Sequence, residues 1–153
     1  MRTFATTLFL CATLLATVSP AQAQVGVRAG VSGNPDQFVI GGHYETKPLI
    51  PKLSFRPNVE VGVGDDSTLV ALNIEFVYSI PLYGKPWRVY LGGGPAANIY
   101  SNGGGNGNGD GTDVAGGFNF LVGAQHDRGL FVEFKVGAID SPTVKFLVGY
   151  AFK

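Results

Sequence analysis

Apolar and polar residues alternate with a period of two through most of the chain after residue 23, and no segment there shows helical periodicity. Such alternation is typical of β-strands with one apolar and one polar face. Gly, Asn, Asp and Pro separate the alternating segments, because these residues supply the backbone angles that a chain reversal needs. The pattern predicts eight strands, at 25–33, 37–46, 53–64, 68–80, 87–100, 114–126, 129–139 and 143–152.

Most of the connections between these segments are short. Consecutive strands joined in this way form an antiparallel up-and-down meander, which closes most simply as a barrel. We therefore predict an all-β fold in which one eight-stranded antiparallel domain spans 24–153.

Each strand has an apolar and a polar face, and the orientation of these faces in the barrel determines whether it suits water or a lipid bilayer. In the fourth segment, Leu72, Ile74 and Phe76 alternate with Asn73 and Glu75. A secreted soluble barrel of the lipocalin kind would turn the apolar face inwards around a ligand. A transmembrane barrel turns that face towards lipid and keeps a polar lumen. Both arrangements fit the alternation alone.

Glycine and the low charge content favour the transmembrane arrangement. Only 14% of residues are charged, against roughly 25% in soluble domains. Several glycines share the polar face, where they would leave room in a narrow lumen for long side chains of neighbouring strands. These glycines are Gly30, Gly62, Gly92, Gly123, Gly137 and Gly149.

Aromatic residues on the apolar face cluster towards one rim, as in the interfacial girdles of membrane barrels. This predicted girdle comprises Tyr44, Phe55, Tyr78, Trp87, Tyr150 and Phe152.

The charged residues of the polar face form the main candidate site. They are Arg28, Arg56, Glu60, Glu75, Arg88, Glu133, Lys135 and Lys145. Buried charges must be paired or hydrated. We therefore expect an ion-pair network, with Glu60, Glu75 and Glu133 as acceptors, that plugs the lumen. The alternative for the same residues is a gated path for protons or ions.

Residues 1–23 predict a cleaved signal peptide. They contain Arg2, an apolar stretch from about Phe4 to Val18, Pro20, and small residues at Ala21 and Ala23. The apolar stretch is shorter than the roughly 20 residues of a membrane-spanning helix. Cleavage would also remove Cys11, the one cysteine of the chain, so we expect no disulfide in the mature protein.

Three stretches resemble a known family: 25–30 (VGVRAG), 55–64 (FRPNVEVGVG) and the closing 146–152 (FLVGYAF). With the leader, they are similar to the small outer-membrane β-barrels of the OmpA-transmembrane, OmpX and Opa type. The family ends on an aromatic residue, whereas Lys153 follows Phe152 here. The resemblance covers 24–153 and implies a monomer among the outer-membrane lipids of a Gram-negative cell. It also implies periplasmic chaperones and the outer-membrane barrel insertion machinery as partners.

Other chemistry has little support in the sequence. The formal net charge of zero argues against nucleic-acid binding. His43 and His126 have no partner at metal-ligand spacing and no adjacent serine nucleophile. The tract at 101–113 predicts a glycine-rich loop that lacks the closing glutamate of a calcium loop. We expect a non-enzymatic protein with a structural role and with no catalytic, cofactor or metal site. The alternatives are the soluble ligand-binding barrel and a small gated channel.

Overall fold

The computed structural model describes residues 23–65, 67–102 and 111–152. These residues form a closed antiparallel barrel in which each strand pairs with the next and β8 pairs with β1. The predicted all-β, eight-stranded antiparallel barrel is confirmed. The strands are β1 (Gln24–Gly33), β2 (Gln37–Glu45), β3 (Leu53–Val63), β4 (Ser67–Pro81), β5 (Trp87–Asn102), β6 (Gly111–His126), β7 (Leu130–Ile139) and β8 (Val144–Phe152).

The largest difference from the predicted boundaries lies between β5 and β6. The sequence predicts a loop at 101–113, but the two strands pair as far as Asn102 and Gly111. The prediction is wrong at both ends of this loop. Paired strands are joined by backbone hydrogen bonds that do not depend on the type of side chain, so polar and small residues can extend the pairing. The rest of this predicted loop, 103–110, lies outside the described residues, as does the predicted signal peptide up to residue 22.

Burial alternates along the strands, and the apolar face is the outer one. Phe120 and Phe146 on the outer surface are 56% and 51% exposed, whereas Glu75 and Lys135 in the lumen are fully buried. Closure between β1 and β8 leaves no unpaired strand edge, as a barrel in lipid requires. The barrel therefore has an apolar exterior and a polar, charged interior.

Among the described residues, no helix has the length and hydropathy of a membrane span.

Two prolines interrupt the ladders on one side of the barrel. Pro95 lies within β5, and the paired register of β4 with β5 passes from Asn73–Ala96 directly to Phe76–Gly93. Pro57 lies within β3, and the paired register of β2 with β3 ends at His43–Asn58, the pair next to Pro57. Proline has no N–H and cannot donate to a neighbouring strand. Both interruptions lie beside Ile74 of β4, which pairs with Pro57.

Shortening the tract at 103–109 should leave the barrel folded. The reason is that β5 and β6 already pair over their whole length up to Asn102 and Gly111. The measurement is the difference in gel mobility between cold and boiled samples, which reports barrel closure. Loss of the mobility difference on deletion would show that the tract contributes to folding.

Candidate functional site

The eight predicted lumen charges all lie on the inner face of the barrel. Seven of them are buried, and the side chain of the eighth, Arg88, is 28% exposed. The seven buried residues divide into four cations and three carboxylates. We call them the central cluster: Arg28, Arg56, Glu60, Glu75, Glu133, Lys135 and Lys145.

Glu60 of β3 is the acceptor for three cations of the central cluster. Lys135 Nζ and Lys145 Nζ each donate to its carboxylate at 2.6 Å. Arg28 Nη1 lies 3.4 Å from Glu60 Oε1. Lys145 contacts no other carboxylate within ion-pair distance in the described part of the chain.

Glu133 of β7 is the second centre of the cluster. Its carboxylate accepts from Arg28 Nη1 at 2.9 Å and from Arg56 Nη2 at 2.5 Å. The hydroxyl of Tyr90 donates to it at 2.9 Å, and the guanidinium carbon of Arg56 lies 5.1 Å from the centre of the Tyr90 ring. Sequence reasoning did not single out Tyr90. Its inward direction could have been predicted, because Tyr90 lies between Val89 and Leu91 on one strand and both of these residues face outwards.

Glu75 of β4 closes the network. Lys135 Nζ donates to its carboxylate at 2.6 Å, and Arg56 Nη2 lies 3.4 Å from it. The central cluster and Tyr90 together join six strands, β1, β3, β4, β5, β7 and β8, across the lumen. Side chains therefore connect opposite walls of the barrel at this level.

The central cluster contains one more cation than it has carboxylates. In the described structure, Nε and Nη2 of Arg28 and Nε of Arg56 are buried without a hydrogen-bond partner. Arg28 has a partial substitute, because its guanidinium carbon lies 5.7 Å from the centre of the Phe131 ring. The middle of the lumen is therefore electropositive.

A second polar group lies at the lumen mouth where the chain enters β1. Arg88 donates to Gln125 Oε1 through Nε, at 3.1 Å, and through Nη2. Arg88 Nη2 also donates to Gln24 at 3.3 Å and lies 3.7 Å from Glu45. The sequence predicted Arg88 in one group with the seven charges of the central cluster, but in the structure it lies at the lumen mouth and contacts none of them in the described residues.

Three asparagines form a hydrogen-bonded chain elsewhere in the lumen. The amide of Asn73 donates to Asn58 Oδ1, and the amide of Asn119 donates to Asn73 Oδ1, each at 2.8 Å. This chain was not among the predicted site residues. Its members could have been found from their positions on the inward face of β3, β4 and β6.

The two histidines lie on opposite sides of the barrel wall. His43 is buried in the lumen, where its ring meets the Phe131 ring edge-on at 5.4 Å. His126 packs against Trp87 on the outer face, and its Nδ1 accepts from Arg128 N at 3.0 Å. They cannot form a shared site. Within the described residues, no group of three or more His, Cys, Asp or Glu is placed to hold a metal ion.

Two of the inward glycines stand beside large inward aromatic side chains. Gly123 pairs with Tyr90, and Gly149 pairs with Phe131. A Cβ at Gly123 would overlap the Tyr90 ring, and one at Gly149 would overlap the Phe131 ring. The small residue of each pair leaves the space that the large one fills.

Gly123→Val should destabilise the barrel by about 1–3 kcal/mol, the usual cost of overpacking. The new side chain would displace Tyr90 and remove its hydrogen bond to Glu133. Gly116→Val is the matched control, because a Cβ at this outward position of the same strand meets nothing within 4 Å. Urea unfolding in vesicles measures both variants. Equal stabilities would show that the lumen has room to spare beside Tyr90.

The six predicted girdle residues lie on the outer face, at the strand ends that share one rim. Tyr150 and Phe152 pack together at 5.1 Å near the end of β8, and Phe55 packs against Phe76 at 5.5 Å near the start of β3. Trp87 is the first residue of β5. The remaining two, Tyr44 and Tyr78, lie near the ends of β2 and β4.

No family model and no curated protein matches the sequence. Solved structures do match. The N-terminal β-barrel domain of Pseudomonas aeruginosa OprF has a TM-score of 0.61 and 14% sequence identity, over 86% of this chain and 98% of that one. Neisserial surface protein A (NspA) has a TM-score of 0.67 and 15% identity, over 86% and 95%. Both are small outer-membrane β-barrels. The predicted resemblance is confirmed at the level of the fold, and the chain has the fold of the small eight-stranded outer-membrane barrels.

Proposed function

We propose that this chain is an integral outer-membrane barrel with a structural, non-enzymatic role and a lumen closed by the central cluster. It is exported by the signal peptide at 1–23 and inserted by the outer-membrane barrel machinery with the help of periplasmic chaperones. It acts as a monomer surrounded by outer-membrane lipids.

The observation that carries this proposal is the direction of the two faces. Large apolar residues cover the outer surface, and the buried interior contains seven charged side chains at its centre. An apolar surface of this extent is costly in water and favourable in lipid. A lipocalin-like barrel would require the reverse arrangement, so the orientation of the faces argues against the soluble alternative.

The central cluster supports a closed lumen. An eight-stranded barrel is just wide enough for its interior to be filled by side chains. Here Glu60, Glu75 and Glu133 link side chains from facing walls at the same level. Water and ions would have to separate these ion pairs in order to pass.

The electropositive centre keeps a small gated channel as the second candidate. Its four cations exceed its three carboxylates, so an opened lumen should prefer anions. Planar-bilayer recordings test this alternative. Discrete anion-selective openings in the native protein would favour the channel over the purely structural role.

Cell fractionation with cold and boiled gel mobility tests the main proposal. A heat-modifiable band in the outer-membrane fraction is the expected result, because a closed barrel resists detergent until it is boiled. A soluble periplasmic protein without a mobility shift would overturn the proposal.

A further inference from the structure

A broad concavity, which we call the lipid groove, lies on the outer surface of the described part of the barrel. It has a volume of about 820 Å³ and crosses β1 to β5. Five strands at a spacing of about 4.8 Å give it a path of roughly 19 Å along the curved wall of the barrel. Pockets of about 300–1,000 Å³ are of a size that holds small ligands.

Small residues form the floor of the lipid groove. Gly42 has no side chain, Ala97 has a methyl group, and Pro57 and Pro95 have compact rings. Phe118, Phe120, Phe134 and Phe146 protrude from the outward positions of β6 to β8 on the other side of the barrel. The concavity therefore follows from the small residues on β2, β3 and β5.

The register brings these distant residues together. Val27, Gly42, Val59, Leu72 and Ala97 are successive partners across the first five strands, and all of them line the groove. The next partner in the row, Gly116 of β6, lies one strand beyond it. The groove is continuous across the strands, and its outward-facing residues are apolar apart from the hydroxyl of Tyr44, whereas His43, Asn58 and Asn73 of the same segments point into the lumen. This outer lining suits a hydrocarbon chain.

The connection at 46–52 carries positive charge at the rim of the barrel that lies nearest to the groove residue Tyr44. It joins β2 and β3, which both line the groove, and contains Lys47 and Lys52 but no acidic residue. Lys47 follows the groove residue Tyr44 by three positions, roughly 10 Å along an extended chain. Between the lysines, Leu49 and Ile50 are 59% and 61% exposed. Exposed apolar residues flanked by lysines suit the headgroup region of an anionic membrane.

The opposite end of the barrel has the opposite charge. Its connections at 34–36, 64–66 and 140–143 contain aspartates and neither lysine nor arginine. A negatively charged headgroup is therefore favoured at the lysine-bearing end alone.

We propose that the lipid groove binds one anionic phospholipid, with its acyl chains against Gly42, Pro57 and Pro95 and its phosphate beside Lys47. This inference rests on the proposed membrane function, since only a barrel in lipid presents the groove to acyl chains. If the barrel is inserted with the start of β1 and the end of β8 on the periplasmic side, the bound lipid belongs to the periplasmic leaflet.

The test is native mass spectrometry of the barrel purified from membranes in detergent, titrated with phosphatidylglycerol or phosphatidylcholine. We expect saturable binding of one phosphatidylglycerol and weaker binding of phosphatidylcholine. Gly42→Leu should weaken phosphatidylglycerol binding about tenfold, because the new side chain displaces roughly two methylenes of the ligand. A Cβ at Gly42 comes no closer than 3.6 Å to the Gly26 carbonyl oxygen, so the variant should fold.

Matched variants separate the groove from its surroundings. Gly116→Leu adds the same side chain one strand away and should bind phosphatidylglycerol as the native barrel does. Lys47→Gln should reduce the preference for phosphatidylglycerol over phosphatidylcholine. Arg128→Gln, at the same end but in the connection between β6 and β7, which do not line the groove, should leave that preference unchanged. Ala97→Leu repeats the groove test if Gly42→Leu fails to fold.

Two outcomes would overturn the inference while the membrane function stands. One is a folded, membrane-derived barrel whose groove variants bind phosphatidylglycerol like the native protein, or whose lipid binding never saturates. The other is a dimer that Gly42→Leu disrupts without any change in bound lipid, which would assign the groove to a second copy of the chain. Absence of the protein from membranes would instead contradict the proposed function itself.

Discussion

Replacing Glu60 with glutamine should lower the free energy of unfolding by about 3–5 kcal/mol, the range for removing one partner of a buried ion pair. Glu60 accepts from Lys135 and Lys145, each at 2.6 Å, and both lysines are buried. Lys135 keeps Glu75 as a partner, whereas Lys145 contacts no other carboxylate in the described structure. The variant therefore leaves a buried ammonium group whose desolvation is no longer offset.

Urea unfolding of the barrel in vesicles measures this loss, and the chain's single tryptophan, Trp87, provides the fluorescence signal. Glu45→Gln is the matched control. Glu45 is also buried, but its ion pair with the partly exposed Arg88 is long, at 3.7 Å, and Arg88 keeps Gln24 and Gln125 as acceptors. Its loss leaves no buried charge without a partner among the described residues and should cost less than about 1 kcal/mol. The double variant Glu60→Gln/Lys145→Met removes one charge of each sign and should recover part of the stability. If Glu60→Gln and Glu45→Gln proved equally stable, the central cluster would not hold the barrel together.

Placing arginine at Ile74 should impair membrane insertion by about 2–4 kcal/mol, the cost of a lipid-facing arginine near the bilayer midplane. Ile74 lies at the middle of β4 and is 48% exposed on the outer surface. Val132→Arg on β7, 39% exposed, should act in the same direction. The measurement is the amount of heat-modifiable protein in the outer-membrane fraction, together with the unfolding free energy in vesicles.

Ile80→Arg is the matched control for depth. Ile80 is outward-facing on the same strand, but it lies one residue from the end of β4. Near the interface, arginine costs only about 0–1 kcal/mol because its head group reaches water. Equal insertion of the Ile74 and Ile80 variants would show that the outer face of β4 does not cross a bilayer.

The strands and their faces could be predicted from local pattern alone. Arg56, Asn58 and Glu60 alternate with apolar residues in β3, and their inward direction follows from the two-residue repeat of an extended backbone. The same argument placed Glu133 and Lys135 in the lumen. The ends of β5 and β6 could not be predicted in this way, because Ser101 and Thr112 have the composition of a loop and pair only through their backbones.

The contacts within the lumen were not predictable residue by residue. Glu133 accepts from Arg28, Arg56 and Tyr90, which are separated from it by 105, 77 and 43 residues. Each of these contacts depends on the height at which distant strands cross the lumen. The division of Arg88 from the central cluster has the same origin, as does the meeting of Gly42, Pro57 and Pro95 in one groove.

The sequence by itself determined the number of strands, their order, and which side chains face inwards, because these properties depend on local alternation and on turn residues. Only the tertiary structure decided which carboxylate meets which cation, which glycine stands beside Tyr90, and where small residues form a concavity. The physical reason is closure. When β8 pairs with β1, the register of this pair must be consistent with the registers of the other seven. The height of each residue in the lumen therefore depends on all eight pairings together.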